Sequence, residues 1–191
     1  MMRIITGKAR GAKLQTLAGD ATRPTAERTK EAVFSVLQNE LRDVTVLDLF
    51  AGSGQLGLEA ISRGARRAVF CDNSRDAVRV IRANVEKTAF SDAASVLCLD
   101  AAAAISMLSG REKFDLVFLD PPYALHLIPD VLRRLHTAGL LASNARIVCE
   151  TASPEDVFGN DTALSELYEV VRASRYGAAY VTFLTLREVR E

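Results

Sequence analysis

The sequence predicts an α/β fold with a doubly wound, mostly parallel sheet. Three observations support this. Strand-like and helical stretches alternate from Val44 onward, which is the order of βαβ units. Several strand-like stretches are apolar on consecutive residues, as expected where both faces of a parallel sheet are covered. Near the end of the chain, two strand-like stretches flank the short turn 174–177, so the sheet should also contain one antiparallel strand.

The individual elements follow from hydrophobic periodicity and from turn-forming residues. Residues 3–6 and 12–17 predict a short N-terminal hairpin around a glycine-containing turn, and a helix is predicted after Pro24. The strands that follow are predicted at 44–50, 67–72, 94–99, 114–120 and 145–150. The helices between them are predicted at 54–63, 74–88, 101–109 and 127–137. The closing hairpin pairs 167–172 with 178–186.

Length and composition favour a single globular domain. The chain of 191 residues is 49% hydrophobic and 25% charged, which is ordinary for a soluble protein with one core. We expect one domain, 1–191, made of an N-terminal hairpin arm, 1–24, and a core, 25–191. Residues 1–42 hold eight basic and four acidic side chains, so the arm is basic on a mildly acidic body. This distribution favours local phosphate contacts, although it would also keep an exposed hairpin soluble.

The cysteines and the hydropathy pattern bear on the cellular compartment. Cys71, Cys98 and Cys149 are odd in number and have no paired spacing, which argues against a disulfide scaffold or a zinc site. We expect them to be buried, reduced thiols. No apolar stretch approaches the length of a membrane span, and the N-terminus lacks a signal-peptide core. These features predict a cytoplasmic protein without a membrane partner or a bound metal.

The most informative motif is Asp120-Pro121-Pro122-Tyr123, at the end of the predicted strand 114–120. Proline has no N–H and a fixed φ, so the two prolines neither extend a ladder nor begin a helix unaided. Their carbonyls remain able to accept hydrogen bonds from outside the chain. The carboxylate of Asp120 only accepts, and Tyr123 offers a stacking face. Together these groups suit the exocyclic amino group of a nucleobase.

A second motif is the glycine-rich loop 51–57, which follows the predicted strand 44–50 and has the pattern G-x-G-x-x-G. Small residues let a ligand approach the backbone closely, and the helix that begins there offers unpaired N–H groups. Asp72 ends the next strand, where an acid can hold ribose hydroxyls. Nicotinamide-binding folds use the same loop. The Asp-Pro-Pro-Tyr motif favours another chemistry, because hydride transfer has no evident use for it.

The two motifs together resemble a known family. The segments 48–57 and 120–123 are similar to those of class I, S-adenosylmethionine-dependent amino-methyltransferases, and more specifically to the RsmD-type enzymes. The segments 2–8, 23–31 and 57–65 also resemble that family. The resemblance implies a Rossmann-like sheet of seven strands with the last one reversed. It implies methylation of guanine N2 in small-subunit (16S) ribosomal RNA, with S-adenosyl-L-methionine as cofactor and with ribosomal RNA or an assembled small ribosomal subunit as partner.

The resemblance also implies roles for residues of a cofactor site. Gly52 and Gly54 would lie behind the methionine part, and Asp48 would help to orient its amino group. Asp72 would hold the ribose, and the residue after it would lie beside the adenine. Asp100 would lie at the adenine edge, although it also suits a plain helix cap. The implied cofactor-binding residues are Asp48, Phe50, Gly52, Ser53, Gly54, Asp72, Asn73, Asp100 and Ala101.

The implied catalytic residues are Asp120, Pro121, Pro122 and Tyr123. The amino group of the base would donate to the Asp120 carboxylate and the Pro121 carbonyl, while the ring of Tyr123 stacks on the base. Basic residues of the arm would hold the phosphates around the target, with Arg28 and Lys30 near the pocket. The expected substrate-binding residues are Arg3, Lys8, Arg10, Lys13, Arg23, Thr25, Arg28 and Tyr123. The segment 23–25 also resembles the family's segment beside the cofactor carboxylate, but a turn before a capped helix explains it equally well.

Four other functions compete with this interpretation. A DNA adenine or cytosine amino-methyltransferase shares Asp-Pro-Pro-Tyr, but the chain has no room for a separate target-recognition domain. A protein-glutamine methyltransferase would call for asparagine in place of Asp120. A nicotinamide-binding module without methyl transfer would use only the glycine loop, and it is distinguished by the cofactor that raises the melting temperature. An inactive scaffold would leave the intact motifs unexplained.

Overall fold

Seven strands form one sheet in the computed structural model, which describes residues 2–17 and 24–187. The strands are β1 (Thr45–Asp48), β2 (Arg67–Asp72), β3 (Ala94–Cys98), β4 (Phe114–Leu119), β5 (Leu141–Thr151), β6 (Tyr168–Tyr176) and β7 (Ala179–Leu186). Their order is β3-β2-β1-β4-β5-β7-β6. Neighbours from β3 to β5 are parallel, whereas β7 is antiparallel to both β5 and β6. The predicted doubly wound sheet with a reversed last strand is confirmed.

Helices cover both faces of this sheet. The α-helices are α1 (Pro24–Val36), α2 (Gln55–Arg63), α3 (Arg75–Lys87), α4 (Ala101–Leu108), α5 (Ile128–Thr137) and α6 (Thr162–Leu167). Short 3-10 helices span Ser91–Ala93, Tyr123–Leu125 and Pro154–Val157. One buried core lies between the sheet and α4, α5 and α6. The other lies between the sheet and α1, α2, α3 and the N-terminal segment. Both sheet faces are therefore apolar, which is why the strands read as continuous hydrophobic runs.

The site of ligand binding follows from the strand order. The chain runs outward from β1 through β2 to β3, and then returns to the other side of β1 with β4. At such a reversal the loops leaving β1 and β4 part, and a crevice opens beyond the carboxyl ends of the strands. The glycine loop follows β1, and the Asp-Pro-Pro-Tyr segment follows β4. The topology therefore brings the two predicted motifs to the same crevice.

Some elements differ from the prediction for local reasons. β5 begins at Leu141 rather than at 145, because Leu141 pairs with Phe114 across an irregularity in the β4 ladder. The polar residues inside that stretch hid the start of the strand. α6 was not predicted, since it is only six residues long and of these buries only Leu164. Cys98 was expected to be buried but is exposed, because it ends the edge strand β3, whereas Cys71 and Cys149 are buried.

The predicted N-terminal hairpin is present as a tight turn with a single bridge, Arg3 to Lys13, rather than as two strands. We call residues 2–17 the hairpin segment. Ile4 N–H donates to the Ala12 carbonyl at 2.9 Å, which closes the turn. Gly7 has φ +90°, and a Cβ there would lie 1.8 Å from the Ser62 carbonyl oxygen. Any larger residue at this position would push the turn off α2.

The hairpin segment is held on α2 by a buried carboxylate. Glu59 is fully buried and accepts hydrogen bonds from Ile5 N–H at 2.7 Å and Thr6 N–H at 3.0 Å. It also pairs with Arg63 Nε at 2.7 Å. Ser62 adds contacts on the next residues, since its hydroxyl donates to the Thr6 carbonyl at 2.6 Å. The segment is therefore an integral part of the second core rather than a free arm.

We expect Glu59→Ala to lower the free energy of unfolding by about 3 kcal/mol, because it leaves Arg63 and two backbone N–H groups without their acceptor. Chemical denaturation measures this loss, and limited proteolysis should show faster cleavage within the hairpin segment. Asp76→Ala is the matched control, since the Asp76–Arg79 pair is exposed and such pairs contribute less than about 1 kcal/mol. Equal stability losses in the two variants would contradict the role of Glu59.

Of the helices in the described ranges, none combines the length and the apolar character that a membrane crossing requires.

Candidate active site

The loop after β1 turns sharply at two glycines and leads into α2. Gly52 has φ +53° and Gly54 has φ +79°, in the left-handed region that favours glycine. A Cβ on Gly52 would meet nothing within 4 Å, so this residue faces open space. Gly57 has another role, since a Cβ there would lie 2.3 Å from the Phe70 ring. The first glycine thus leaves the backbone open to a ligand, whereas the third lets α2 pack closely on β2.

Asp72 ties the glycine loop to the end of β2. Its Oδ2 accepts from Gly52 N–H and its Oδ1 accepts from Ser74 N–H, both at 2.9 Å. A carboxylate has about four lone-pair sites, so each oxygen can accept one further hydrogen bond. The group is half-buried and lies where the chain leaves the sheet. It therefore has the position and the remaining capacity to bind two neighbouring hydroxyl groups of a ribose.

Asp48, the last residue of β1, is a buried acid. It is 2% exposed, and Gly57 N–H donates to its Oδ2 at 3.2 Å. Burial, and to a smaller degree the negative charge of Asp72, raises the pKa of Asp48 from 3.8 to about 7. A positively charged amino group nearby would stabilise the ionised form. The site therefore provides a carboxylate suited to the ammonium group of an amino-acid ligand.

The raised pKa of Asp48 predicts a pH-dependent stability. In the unfolded chain this carboxyl loses its proton near pH 4, whereas in the folded protein it keeps the proton up to about pH 7. The folded state binds more protons across that window, so its stability falls as the pH rises. Above pH 7 the cost reaches on the order of 4 kcal/mol.

We expect Asp48→Asn to remove this cost. Without ligand, the variant should gain most in Tm over the wild type at pH 8 and little at pH 4, as measured by thermal unfolding across the range. Melting curves that shift in parallel with pH for both proteins would contradict the burial of an ionisable acid.

Asp100 and its neighbours form another part of the crevice wall. Asp100 caps α4, since its carboxylate accepts from Ala103 N–H at 2.8 Å. The cap interpretation from the sequence is therefore confirmed. The same residue and Ala101 also line the crevice, together with Asn73 from the end of β2. A cap that uses one carboxylate oxygen leaves the other oxygen able to accept from a ligand.

The Asp-Pro-Pro-Tyr segment follows β4 directly. Asp120 is half-buried, Pro121 is buried, and Pro122 is exposed and precedes the 3-10 turn Tyr123–Leu125. The side chain of Tyr123 is 36% exposed. Its hydroxyl donates to Glu150 Oε1 at 2.6 Å. The ring is therefore held at its far end and exposes part of its surface.

Glu150 is a site residue that the sequence reasoning missed. It lies near the carboxyl end of β5, and burial raises its pKa, an effect that the Tyr123 hydroxyl partly offsets. The register pairs Leu119 with Cys149, so Asp120 and Glu150 follow paired residues on neighbouring strands. The signal was available, because an acid after an apolar run also identified Asp72 and Asp120.

These residues line one cleft of about 890 Å³, a volume typical of small-molecule sites. The cleft brings together twelve of the predicted site residues and Glu150. They are Asp48, Phe50, Gly52, Ser53, Asp72, Asn73, Asp100, Ala101, Asp120, Pro121, Pro122, Tyr123 and Glu150. Gly54 is not part of the lining, since it is the N-cap residue of α2 and a Cβ on it would lie 3.3 Å from Ile81. The acidic side chains of this set and the hydrogen-bonding loop suit a cationic nucleoside.

The predicted substrate residues are spread along the hairpin segment. Met2 lines the cleft, and the neighbouring Arg3 and Lys13 are exposed and paired across the turn. Lys8 and Arg10 are exposed at the tip, where Lys8 N–H donates to the Ser62 carbonyl. α2 runs away from the cleft, so this tip lies about 10 Å further along the helix axis. The structure therefore brings only the base of the hairpin segment to the cleft.

The remaining predicted residues lie on or before α1. Arg28 is exposed, whereas Lys30 is buried and donates from Nζ to the Arg3 carbonyl at 2.7 Å. Burial lowers the pKa of Lys30. Lys30 thus anchors the hairpin segment to α1. Arg23 lies outside the described residues, as does the side chain of Thr25.

The fold and the cleft define the class of protein. A seven-stranded sheet with a reversed β7, a glycine loop after β1 and an acid at the end of β2 are the features of a class I, S-adenosylmethionine-dependent methyltransferase. A family model described as conserved hypothetical protein 95 matches residues 2–185, and the chain belongs to this family, that of the RsmD-type proteins.

Named relatives agree with this assignment. The chain is 34% identical over 151 residues to ribosomal RNA small subunit methyltransferase D of Haemophilus influenzae, covering 78% of each chain. It is 33% identical over 150 residues to the protein of the same name from Escherichia coli, covering 78% of this chain and 74% of that one. Among solved structures, yhhF, a methyltransferase candidate from Escherichia coli, superposes with a TM-score of 0.84 at 30% identity, covering 97% of both chains.

Proposed function

We propose that this protein transfers a methyl group from S-adenosyl-L-methionine to the exocyclic N2 amino group of a guanine in small-subunit (16S) ribosomal RNA. The observation that carries the proposal is the convergence of the glycine loop and Asp120–Tyr123 on one cleft. The names of the relatives support ribosomal RNA as the substrate. This function would place the protein in the cytoplasm, where it meets ribosomal RNA or an assembled small subunit.

The cleft residues suggest how the cofactor is held. We assign the ribose to Asp72, whose two oxygens are already oriented by Gly52 and Ser74. The ammonium group of the methionine part would pair with Asp48 and stabilise its ionised form. Asn73, Asp100 and Ala101 form the wall assigned to the adenine ring. When bound, the cofactor supplies an electrophilic methyl group on a sulfonium.

Asp120 would prepare the acceptor nitrogen. An exocyclic amino group on guanine is a weak nucleophile, because its lone pair is delocalised into the ring. Donation of its N–H groups to the Asp120 carboxylate and the Pro121 carbonyl would hold the nitrogen closer to tetrahedral and align the lone pair with the methyl carbon. Asp120 would also stabilise the positive charge that develops on nitrogen, by about 3 kcal/mol.

The proposed methyl transfer is a nucleophilic displacement at the methyl carbon. The bond between sulfur and the methyl carbon breaks as the bond between nitrogen and that carbon forms, and S-adenosylhomocysteine leaves. One proton then leaves the methylated nitrogen, with Asp120 or water as its acceptor. Tyr123 would stack on the base, an interaction of about 1–3 kcal/mol. The target guanine must therefore be unpaired or flipped out of a helix.

We expect the base of the hairpin segment to contribute to RNA affinity. The double change Arg3→Glu with Lys13→Glu should weaken RNA binding. It should also reduce the steepness of the fall of log K with log salt concentration, by about one unit for each phosphate that these side chains neutralise in the wild type. Filter binding to small-subunit RNA at several salt concentrations measures both quantities. The control is Arg111→Glu with Lys113→Glu, exposed positions that precede β4 at the opposite edge of the sheet. Equal effects of the two double changes would contradict local phosphate contacts.

Transfer of a labelled methyl group tests the proposed function. The substrate is small-subunit ribosomal RNA, either naked or assembled, from cells that lack this protein, and the product is identified by nucleoside mass analysis. We expect N2-methylguanosine. Label in adenine or cytosine, or transfer to DNA in preference to RNA, would instead support the DNA amino-methyltransferase. No transfer to either RNA form would contradict the proposal.

A further inference from the structure

Two carboxylates, rather than one, lie at the carboxyl ends of the neighbouring strands β4 and β5, at the place where the base would bind. Leu119 and Cys149 are paired between β4 and β5 and both pack into the core under α4 and α5. The residues before them, Phe118 and Val148, pack into the opposite core. Since side chains alternate along a strand, Asp120 and the following residue of β5, Glu150, both extend toward the α1 and α2 side. Both line the cleft.

Glu150 has hydrogen-bonding capacity that the described part of the chain does not use. Its Oε1 accepts from the Tyr123 hydroxyl at 2.6 Å. Within residues 2–17 and 24–187, neither an ion pair nor a second hydrogen bond to this carboxylate is present. A half-buried carboxylate with one hydrogen bond retains acceptor sites that a bound ligand can satisfy. Its partner Tyr123 is the residue to which base stacking is assigned, so Glu150 lies beside the base.

The nucleobases differ at the atom next to the amino group. Guanine has an N1–H donor beside its 2-amino group. Adenine has the N1 lone pair beside its 6-amino group, and cytosine has the N3 lone pair beside its 4-amino group. A carboxylate accepts hydrogen bonds and offers no donor when ionised. It therefore matches guanine, whereas for adenine or cytosine it would face another acceptor.

We propose that Glu150 accepts a hydrogen bond from guanine N1–H while Asp120 accepts from the 2-amino group, so that Glu150 selects guanine over adenine and cytosine. This inference rests on the proposed function and extends it, since it assigns base choice to a residue outside the Asp-Pro-Pro-Tyr segment. A site built around a hydrogen-bond donor of the substrate discriminates strongly against an analogue without that donor, because the acceptor is then left unpaired.

The test compares two bases in one RNA. A synthetic RNA of the region that the wild-type protein methylates carries either guanine or 2-aminopurine at the target, within a reconstituted small subunit if naked RNA is not a substrate. 2-Aminopurine keeps the 2-amino group but has no N1–H. At pH 8, we expect the wild type to prefer guanine by about 100-fold in kcat/KM. Glu150→Ala should lower kcat/KM for guanine by about 100-fold and bring the preference close to one.

Three further variants separate base recognition from support of Tyr123. Tyr123→Phe removes the hydrogen bond to Glu150 but keeps both the ring and the carboxylate, so it should keep the preference for guanine. Glu155→Gln changes an exposed acid after β5 and should behave as the wild type. Should Glu150→Ala lose its fold or its affinity for the cofactor, Glu150→Gln takes its place. Its amide can donate to N1 of 2-aminopurine, which should also abolish the preference for guanine.

The outcomes distinguish this inference from the proposed function. A preference for guanine that survives in the folded Glu150 variants would overturn the role of Glu150. A loss of that preference in Tyr123→Phe equal to that in Glu150→Ala would show that Glu150 acts only by holding the ring, which also overturns it. Absence of N2-methylguanosine from the wild-type reaction would instead overturn the proposed function.

Discussion

Replacement of Asp120 by alanine should lower kcat for methyl transfer by about 1,000-fold and change the affinity for S-adenosylmethionine little. The reason is that Asp120 is assigned to the transition state, where it orients the amino nitrogen and stabilises the developing charge. Its position directly after β4, beside the rigid Pro121, fixes the carboxylate relative to the cleft. Single-turnover transfer to small-subunit RNA measures the rate, and isothermal titration measures the cofactor affinity.

The matched variant is Asp120→Asn, which keeps the size and one acceptor oxygen but removes the charge. We expect its rate to fall between those of the wild type and Asp120→Ala, so that the two steps separate hydrogen bonding from electrostatic stabilisation. A wild-type rate in Asp120→Ala would remove this residue from the mechanism. A large loss of cofactor affinity would move its role from catalysis to binding.

Asp72→Ala should have its large effect on the cofactor instead, raising the Kd for S-adenosylmethionine by about 100-fold, since hydrogen bonds to a charged group contribute about 1.5–3 kcal/mol. The variant loses the ribose contact and also the hydrogen bond that holds Gly52 N–H. Isothermal titration gives the Kd directly. Thermal unfolding checks it, because a ligand at 100 times its Kd adds about 2.7 kcal/mol of stability.

The control for this variant is Asp76→Ala, an exposed acid of the following helix α3. It should bind the cofactor as the wild type does. Thermal unfolding without ligand separates a loss of binding from a loss of fold, since Asp72 also orders the turn through Ser74 N–H. An unchanged Kd in a folded Asp72→Ala protein would contradict the assignment of the ribose to this residue.

The sheet could be predicted because its strands are covered on both faces. The largely apolar runs of β2 and β4 are short, which favours strands over helices, and acids at their carboxyl ends marked Asp72 and Asp120 as residues of that rim of the sheet. The short helix α6 could not be predicted, because a single buried leucine gives no periodicity. The exposure of Cys98 depended on strand order, which local sequence does not encode.

The parts of the site that one local motif forms could be predicted from the sequence. The parts that depend on contacts between distant segments were harder to predict. The left-handed turn at Gly52 follows from the glycine pattern. Gly54 follows the same pattern, but its place beneath the loop depends on packing against Ile81. The pairing of Tyr123 with Glu150 joins the 3-10 turn after β4 to the carboxyl end of strand β5, 27 positions further along the chain. The distance of Lys8 from the cleft depends on how the hairpin segment packs along α2, and this packing is a tertiary contact that local sequence does not encode.

The location of Met2 has a practical consequence for anyone who produces this protein. Met2 is buried, accepts a hydrogen bond from the Ser53 hydroxyl at its sulfur, and forms part of the cleft wall. Anything fused ahead of it, whether an affinity tag or a fluorescent partner, would start beside the cleft that is proposed to receive the target base. β7 runs antiparallel to β5 and so reaches Leu186 at the opposite rim of the sheet. Purification handles therefore belong after the last strand, away from the cleft wall that Met2 forms.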